Sequence, residues 1–397
     1  MKQADLDRIL TIMLGAHPRI SDLNFTVGRP YQIAADGKLH PVVMDLATSY
    51  LVPFQTEQLA LTLINNDRRL LADLFRHGSC DLSYVLPNGP RFRVNVFSQR
   101  GNYGIVMRKL ESKIPSIEDL GLPDCFKTMA KEKNGIIFFT GATGTGKTTS
   151  LAAILNEINN REQLHIITLE DPIEFVHSHK KATFNQRELG KDVDAFASGL
   201  RAALRQAPHV ILVGEIRDRE TVDVALNAAE TGHLVFSTLH TVSAGNTINR
   251  ILGMYTTEEE QQIRSRLADS LRWVVGQRLL PKINGGRIAV FEIMQTNIRV
   301  KDSIINGESE GKTFYDIIEN GQAYNMQTFD QHIVRLFEQG LIDEDTSLAY
   351  ASNRASTRRG IDMIKSRRGE KTSDIDGLSI DVDWDDTPKD LFESRRE

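Results

Sequence analysis

The chain has 397 residues, with 48 Lys and Arg against 53 Asp and Glu and a formal net charge of −5. At about 100–200 residues per domain this length allows two or three domains, and 40% hydrophobic with 25% charged residues is the composition of a globular protein. The near balance of charge argues against a chain whose main work is coating nucleic acid. Its two cysteines, Cys80 and Cys125, exclude a disulfide framework and a four-thiolate zinc site and suit a reducing compartment. The first residues lack the apolar core of a secretory signal. No segment offers the long uncharged run of a membrane-spanning helix; even Leu267–Leu280 is broken by Asp269, Arg272 and Arg278. These features predict a cytosolic protein.

The first hundred residues read as an α+β unit. Leu6, Ile9, Leu10, Met13 and Leu14 recur at helical spacing. Short strands follow at Asp22–Thr26, Tyr31–Ala34 and Leu39–Met44, separated by turn signals at Gly28–Pro30 and Asp36–Gly37. A second helix is expected from Thr56, as N-cap, to Phe75. A hairpin is expected from Cys80–Leu86 and Arg91–Gln99 around Pro87-Asn88-Gly89-Pro90, then a strand at Gly104–Leu110. Lys113–Leu122, with Pro115 and Pro123 nearby and no strong periodicity, reads as a linker.

From Cys125 strands and helices alternate, the mark of a parallel α/β sheet. Strands are expected at Gly135–Thr140, His165–Leu169, His209–Val213 and His233–Thr238. Helices are expected at Lys147–Ile158, Asp194–Gln206, Glu220–Thr231 and Thr247–Met254. Beyond Thr257 the chain reads as mainly helical, with apolar stripes over Gln261–Leu280 and Thr328–Gln339. Arg354, Arg358, Arg359, Lys365, Arg367, Arg368 and Lys371 then form a basic run, and Asp374, Asp376, Asp381, Asp383, Asp385 and Asp386 an acidic one. Blocks of like charge with few apolar anchors predict a disordered tail, read over 351–397 and most plainly from about Ser373 onward. The expected division is 1–111, 112–124 as linker, 125–350, and a charged tail over 351–397.

Gly141-Ala-Thr143-Gly144-Thr145-Gly146-Lys147-Thr148 fits the pattern G-x-x-x-x-G-K-[ST] between a buried-looking strand and an amphipathic helix. Glycines let the backbone curl with its N–H groups inward, and the following helix adds its positive end. Lys147 would place a charge on the β- and γ-phosphates, and the Thr148 hydroxyl would ligate Mg²⁺. Thr149 continues the first turn. A merely glycine-rich turn is the bland alternative, and its strand-and-helix setting argues against it.

A triphosphatase also needs carboxylates by the γ-phosphate, one to hold Mg²⁺ and one to take a proton from water. Two acidic segments stand at expected strand ends: Glu170-Asp171-Pro172-Ile173-Glu174 after His165–Leu169, and Gly214-Glu215 after Val210–Val213. Position alone does not rank Glu174 against Glu215, and Glu170 serves equally well as a structural cap. Thr231-Gly232-His233 through Thr238-Leu239-His240 is a further strand with a histidine at each tip. A lone histidine is more often a structural hydrogen-bonder than a catalyst.

With these motifs in order, the chain resembles the secretion ATPase superfamily. It looks most like the retraction ATPases of type IV pili, the PilT/PilU branch. The motifs are the phosphate loop at Gly141–Thr148, an acidic box at Leu169–Glu174 with Asn185-Gln186-Arg187-Glu188 behind it, a Walker B segment at Ile211–Glu215 and a His box at Thr231–His240. The resemblance implies a PAS-like N-terminal domain joined to a RecA-like ATPase domain with helical C-terminal part. It also implies a homo-hexameric ring binding ATP and Mg²⁺. It makes Glu174 the general base, Glu215 the Walker B residue near Mg²⁺, and His233 and His240 a pair with His233 near the γ-phosphate. Arg93 and Arg108, on two expected strands, become arginines laid over the phosphates, a task suited to a planar fork.

The resemblance further implies a partner in the inner-membrane pilus platform and action at the membrane's cytoplasmic face. Ser21-Asp22-Leu23-Asn24-Phe25 has Asn where the family commonly has His. The retraction signature is loose at Asn297–Glu308, which together with the acidic tail favours the PilU-like branch, an accessory to a sister retraction ATPase. The competing readings are a pilus-assembly or type II secretion ATPase and a nucleic-acid translocase. The former typically carries an extra N-terminal domain and often a four-cysteine zinc module; for the latter the Arg358–Arg368 run is the only support.

Overall fold

The computed structural model describes residues 1–44, 50–87, 89–110 and 113–370. The N-terminal part runs α1 (Gln3–Gly15), β1 (Ile20–Phe25), β2 (Tyr31–Ala35), β3 (Lys38–Val42), α2 (Pro53–Ile64), α3 (Arg68–His77), β4 (Ser79–Val85), β5 (Arg91–Gln99) and β6 (Asn102–Lys109). Among the described residues these strands make one antiparallel sheet in the order β3-β2-β1-β6-β5-β4. Alternation places Phe92, Val94 and Val96 of β5 on one face, where they pack with Leu6, Leu10, Leu59 and Leu74 from the helices.

The single helix expected over Thr56–Phe75 is two helices. Asn65 and Asn66 adopt left-handed backbone at φ 50° and 59°, a conformation asparagine tolerates better than most residues. Asp67 then caps α3, its carboxylate accepting from the amides of Arg69 (2.9 Å) and Leu70 (3.2 Å). The first helix begins at Pro53, whose ring suits the first helical position, and Thr56 is inside it.

The second sheet is built from β7 (Gly135–Thr140), β8 (His165–Glu170), β9 (Thr183–Glu188), β10 (Val210–Val213), β11 (Leu234–Leu239), β12 (Leu271–Pro281) and β13 (Arg287–Gln295), in the order β13-β12-β7-β11-β10-β8-β9. From β12 to β9 its pairs are parallel. The accompanying helices are α4 (Cys125–Met129), α5 (Lys147–Arg161), α6 (Phe196–Ala203), α7 (Arg219–Glu230), α8 (Ala244–Leu252), α9 (Thr257–Ser270), α10 (Ile298–Asn306) and α11 (Phe314–Glu319). Strands β7, β10 and β11 are buried at every position, as strands covered on both faces must be.

The stripe read as one helix over Gln261–Leu280 divides at Ser270. Beyond it Leu271-Arg272-Trp273-Val274-Val275, rich in aromatic and β-branched residues, forms a strand beside β7. Strands β9 and β13 were not expected. The second half of the expected linker is built into this core: Ile117 and Leu122 are buried with Phe126 and Met129.

Most of the residues above fall in one compact unit, Met1–Leu279 with Ala289–Thr328; the facing ends of β12 and β13, Leu280–Ile288, group with the described residues from Phe329 onward in a second. The second contains α12 (Phe329–Glu338), α13 (Glu344–Tyr350) and α14 (Arg354–Arg367). Helix α14 corrects the expectation of disorder from residue 351. Thr357, Ile361 and Ile364 share a buried stripe under the basic residues. Buried Asp330 accepts from Ser352 N (2.8 Å), Asn353 N (3.1 Å) and Thr357 Oγ1 (2.9 Å). Lys365 pairs with Glu344, and Arg367 with Glu338 at 3.4 Å. Lys371 and the acidic run from Asp374 lie outside the described residues.

Candidate functional site

The phosphate loop leaves β7 at Gly141 and enters α5 at Lys147. Gly141, Gly144 and Gly146 adopt φ values of 144°, 80° and 89°, backbone that a side chain would strain. A Cβ on Gly141 would also meet the Gln277 carbonyl of β12 at 2.4 Å, so sterics and torsion both demand glycine. Thr145 Oγ1 donates to the Ala142 carbonyl at 2.9 Å. Thr143 and Gly144 are exposed at the tip; Thr148 and Thr149 are half-buried in the first turn of α5. Lys147 is buried, its Nζ donating to the carbonyls of Gly141 (2.6 Å) and Ala142 (3.0 Å).

Two carboxylates lie within electrostatic reach of this lysine. Burial pushes the Lys147 ammonium below its ordinary value, and the charges of Glu215 and Glu174 push the other way. Both acidic segments therefore face the loop, as parallel strand order requires: β8 and β10 end at the same edge of the sheet as β7. Glu215 follows β10. Burial works to raise its carboxyl, but a 2.7 Å hydrogen bond from Arg217 Nη2 and the nearby His240 outweigh this and hold it below its usual range. His240 Nε2 is 3.3 Å from Glu215 Oε1. Glu174 is exposed. Glu170 is buried, accepting from Thr168 Oγ1 (2.6 Å) and Gln186 Nε2 (3.0 Å); burial pushes its carboxyl up.

His233 does not join them. It precedes β11, and its carbonyl accepts from Gly135 N at the start of β7 (3.0 Å), while the loop leaves the far end of β7. A six-residue strand at about 3.3 Å per residue puts roughly 20 Å between them. Its Nδ1 lies 2.9 Å from the Ala228 carbonyl, closing the turn after α7. The expectation of His233 near a γ-phosphate is therefore corrected for its own chain; His240, at the other tip, occupies that edge.

Arg93 and Arg108 are cross-strand neighbours on β5 and β6. Arg108 Nε donates to Asp22 of β1 at 3.0 Å. Arg93 is exposed and lines a cavity of about 1000 Å³ together with Asp171, Pro172 and Glu188. This cavity lies beside the acidic box and includes no residue of the phosphate loop.

The contact that residue reading missed is Arg91. Its guanidinium pairs with Glu188 of β9, and Ser83 Oγ donates to the same carboxylate at 2.8 Å. The signal was present in Asn185-Gln186-Arg187-Glu188, noted without a role. Gln186 donates to the Phe175 carbonyl (2.8 Å) and accepts from His177 N (2.8 Å), bracing the loop on either side of Val176.

A glycine loop at a strand-to-helix junction, a lysine inside it and carboxylates from neighbouring parallel strands define a P-loop ATPase. Residues 81–339 match the family model for Type II/IV secretion system protein. The chain is 41% identical over 329 residues to the type IV pilus retractation ATPase PilT of Pseudomonas aeruginosa, spanning 82% of this chain and 93% of that one. It is 37% identical over 368 residues to the type IV pilus ATPase PilU of the same organism, spanning 92% and 94%. A crystal structure of the pilus retraction motor PilT with bound ADP superposes with a TM-score of 0.78 at 38% identity, covering 90% of this chain and 99% of that one. The chain belongs to the Type II/IV secretion system protein family and, within it, to the PilT/PilU-like ATPases.

Proposed function

We propose that this chain is the subunit of a hexameric ring motor that spends ATP to retract type IV pili, at the cytoplasmic face of the inner membrane. Its partner would be an integral pilus platform protein, with a sister retraction ATPase as a further one. The observation that carries the reading is the meeting of Lys147, Glu174, Glu215 and His240 at one edge of a parallel sheet. The motifs and the 41% and 37% identities to PilT and PilU support the pilus role.

The loop amides and Lys147 would bind the triphosphate, and Thr149 the phosphate next along the chain. Thr148 and Glu215 offer hard oxygen donors, one a hydroxyl in a first helical turn and one a carboxylate held ionised. They would hold Mg²⁺, which supplies charge neutralisation at the phosphate oxygens. With Glu215 engaged by Arg217 and His240, the exposed Glu174 is the better proton acceptor. It takes a proton from water as the water oxygen bonds to the γ-phosphorus and the bond to the bridging oxygen breaks, leaving ADP. Residues 1–111 and 125–350 would be the two bodies of the motor, joined over 112–124, with Ile117 and Leu122 anchoring the end of that connection in the ATPase core. Arg93 and Arg108 grip the phosphates in one nucleotide state and release them in the next.

The test is ATP turnover by purified wild type, Glu174→Gln and Glu215→Gln. Loss of a general base costs about 10²–10⁴-fold, so Glu174→Gln should fall at least a hundredfold while still binding nucleotide. Equal rates in Glu174→Gln and wild type would defeat its assignment as base. Retraction restored to a deletion strain by the intact gene, and not by Lys147→Ala, tests the biological role.

A further inference from the structure

We propose that Arg91 and Glu188 are positioning residues for hydrolysis, tying the loop that carries Glu174 to the N-terminal antiparallel sheet. Glu188 stands at the end of β9, in register with Glu170 at the end of β8. Its Oε2 accepts from the amide of Ile173, the residue before Glu174, at 3.4 Å. The same carboxylate is held from the other side by two groups of the N-terminal sheet. Ser83 Oγ lies 2.8 and 3.0 Å from its oxygens, and the Arg91 guanidinium pairs with it while also donating to Ser83 Oγ at 3.0 Å. The pair is largely shielded from solvent: the two side chains are 13% and 9% exposed.

The loop around Glu174 thus has two braces of different origin. Gln186 holds Phe175 and His177 and belongs to the same sheet as the loop. Glu188 holds Ile173 and answers to the other sheet. A 3.4 Å bond to one amide fixes little unless its acceptor is itself fixed, and Arg91 with Ser83 supply that fixing. Withdrawing Arg91 leaves a buried carboxylate without its counter-charge, so Glu188 must turn toward water and abandon Ile173. The position of the N-terminal sheet is in this way reported to the proton acceptor. The inference deepens the proposed function and rests on Glu174 as base.

The experiment uses the full-length protein and steady-state ATP turnover in Arg91→Ala, Arg91→Lys, Glu188→Gln, the Arg91→Ala/Glu188→Gln double variant and Glu174→Gln. The expected result is a tenfold or larger fall in kcat for Arg91→Ala and Glu188→Gln, with KM for ATP within twofold of wild type. Arg91→Lys should recover at least half of the loss. The double variant should be no slower than the worse single one, because both changes cut one tether. Additive losses, an unchanged or raised kcat, or a parallel collapse of kcat, KM and melting temperature would each overturn the proposal. Should Arg91→Ala not fold, Glu188→Gln and Arg91→Lys decide by the same split. Glu174→Gln separates the two readings. If it turns over like wild type, the base assignment falls; if it is dead while the tether variants are normal, only the tether falls.

Discussion

The two tips of β11 carry the same residue type and have opposite surroundings. At the carboxyl edge His240 stands 3.3 Å from Glu215, beside a lysine that also feels Glu174. At the amino edge His233 closes a helix-to-strand turn through Ala228 and faces the start of β7. A parallel sheet makes its edges chemically unequal. All its strands point their ends, and the helices that follow point their positive N-termini, toward one side. A motif that spans a whole strand therefore delivers one residue to the chemistry and leaves the other to the scaffold.

The largest effect is expected where that edge is concentrated. Lys147 is buried with two loop carbonyls for company and carboxylates nearby. Replacing it with alanine removes the cation aimed at the phosphates and should lower kcat/KM by about 10³-fold or more, measured as phosphate release. The fold should survive, since the glycine torsions and the β7 pairing do not depend on the side chain; a far-ultraviolet circular dichroism spectrum matching wild type checks this. A variant with wild-type kinetics would remove the distinction between the edges altogether.

A third histidine sharpens the contrast. His177 lies in the segment braced by Gln186, its ring stacked on Phe184 at a centroid distance of 4.4 Å. Burial, helped by the charge of Lys180, pushes it down to about 4. In the unfolded chain the ring takes a proton near pH 6.5, whereas the folded chain resists until about pH 4. The unfolded state thus binds more protons between these values, and stability falls as pH drops through that window. At about 1.4 kcal/mol per pH unit the loss should be on the order of 2–3 kcal/mol by pH 4.5. His177→Phe keeps the stack and cannot titrate, so urea unfolding at pH 7.5 and 4.5 should show a smaller acid loss in the variant. Equal acid losses would mean that His177 is not shielded as its stacking indicates.

Much of the chemistry was legible because it is local. Eight consecutive residues define the phosphate loop, and β7 falls where its apolar run ends in glycine. Glu215 lies two residues past β10 and Glu174 four residues past β8, as acidic residues after an apolar run lead one to expect at a carboxyl edge. Three things were hidden because they depend on residues far apart in sequence. Strand β12 is a helical stripe until β7 offers it a partner. Helix α14 conceals three buried residues under a basic surface. Arg91 and Glu188 are separated by 97 positions, and the Asn185–Glu188 motif marks one member of the pair without pointing to the other. The Asn65-Asn66-Asp67 break is different: its signal was local, and apolar periodicity on both sides outweighed it.

The smallest effect tests the comparison most directly. His240→Ala removes one of the two groups that hold Glu215 in place, and Arg217 remains at 2.7 Å. The expected outcome is a fall in kcat of about three- to tenfold, the size of losing one hydrogen-bonded neighbour rather than a reacting group. His233→Ala, at the other tip, should leave kcat within twofold of wild type in the same assay. It should instead lower the melting temperature by a few degrees, since a turn contact worth about 1 kcal/mol is lost. The two substitutions are chemically identical and separated by the six residues of β11, so any difference between them is positional. A His233→Ala variant that loses turnover while melting normally would show that the amino edge of one subunit takes part in the chemistry, and the assignment of roles by sheet edge would then fail.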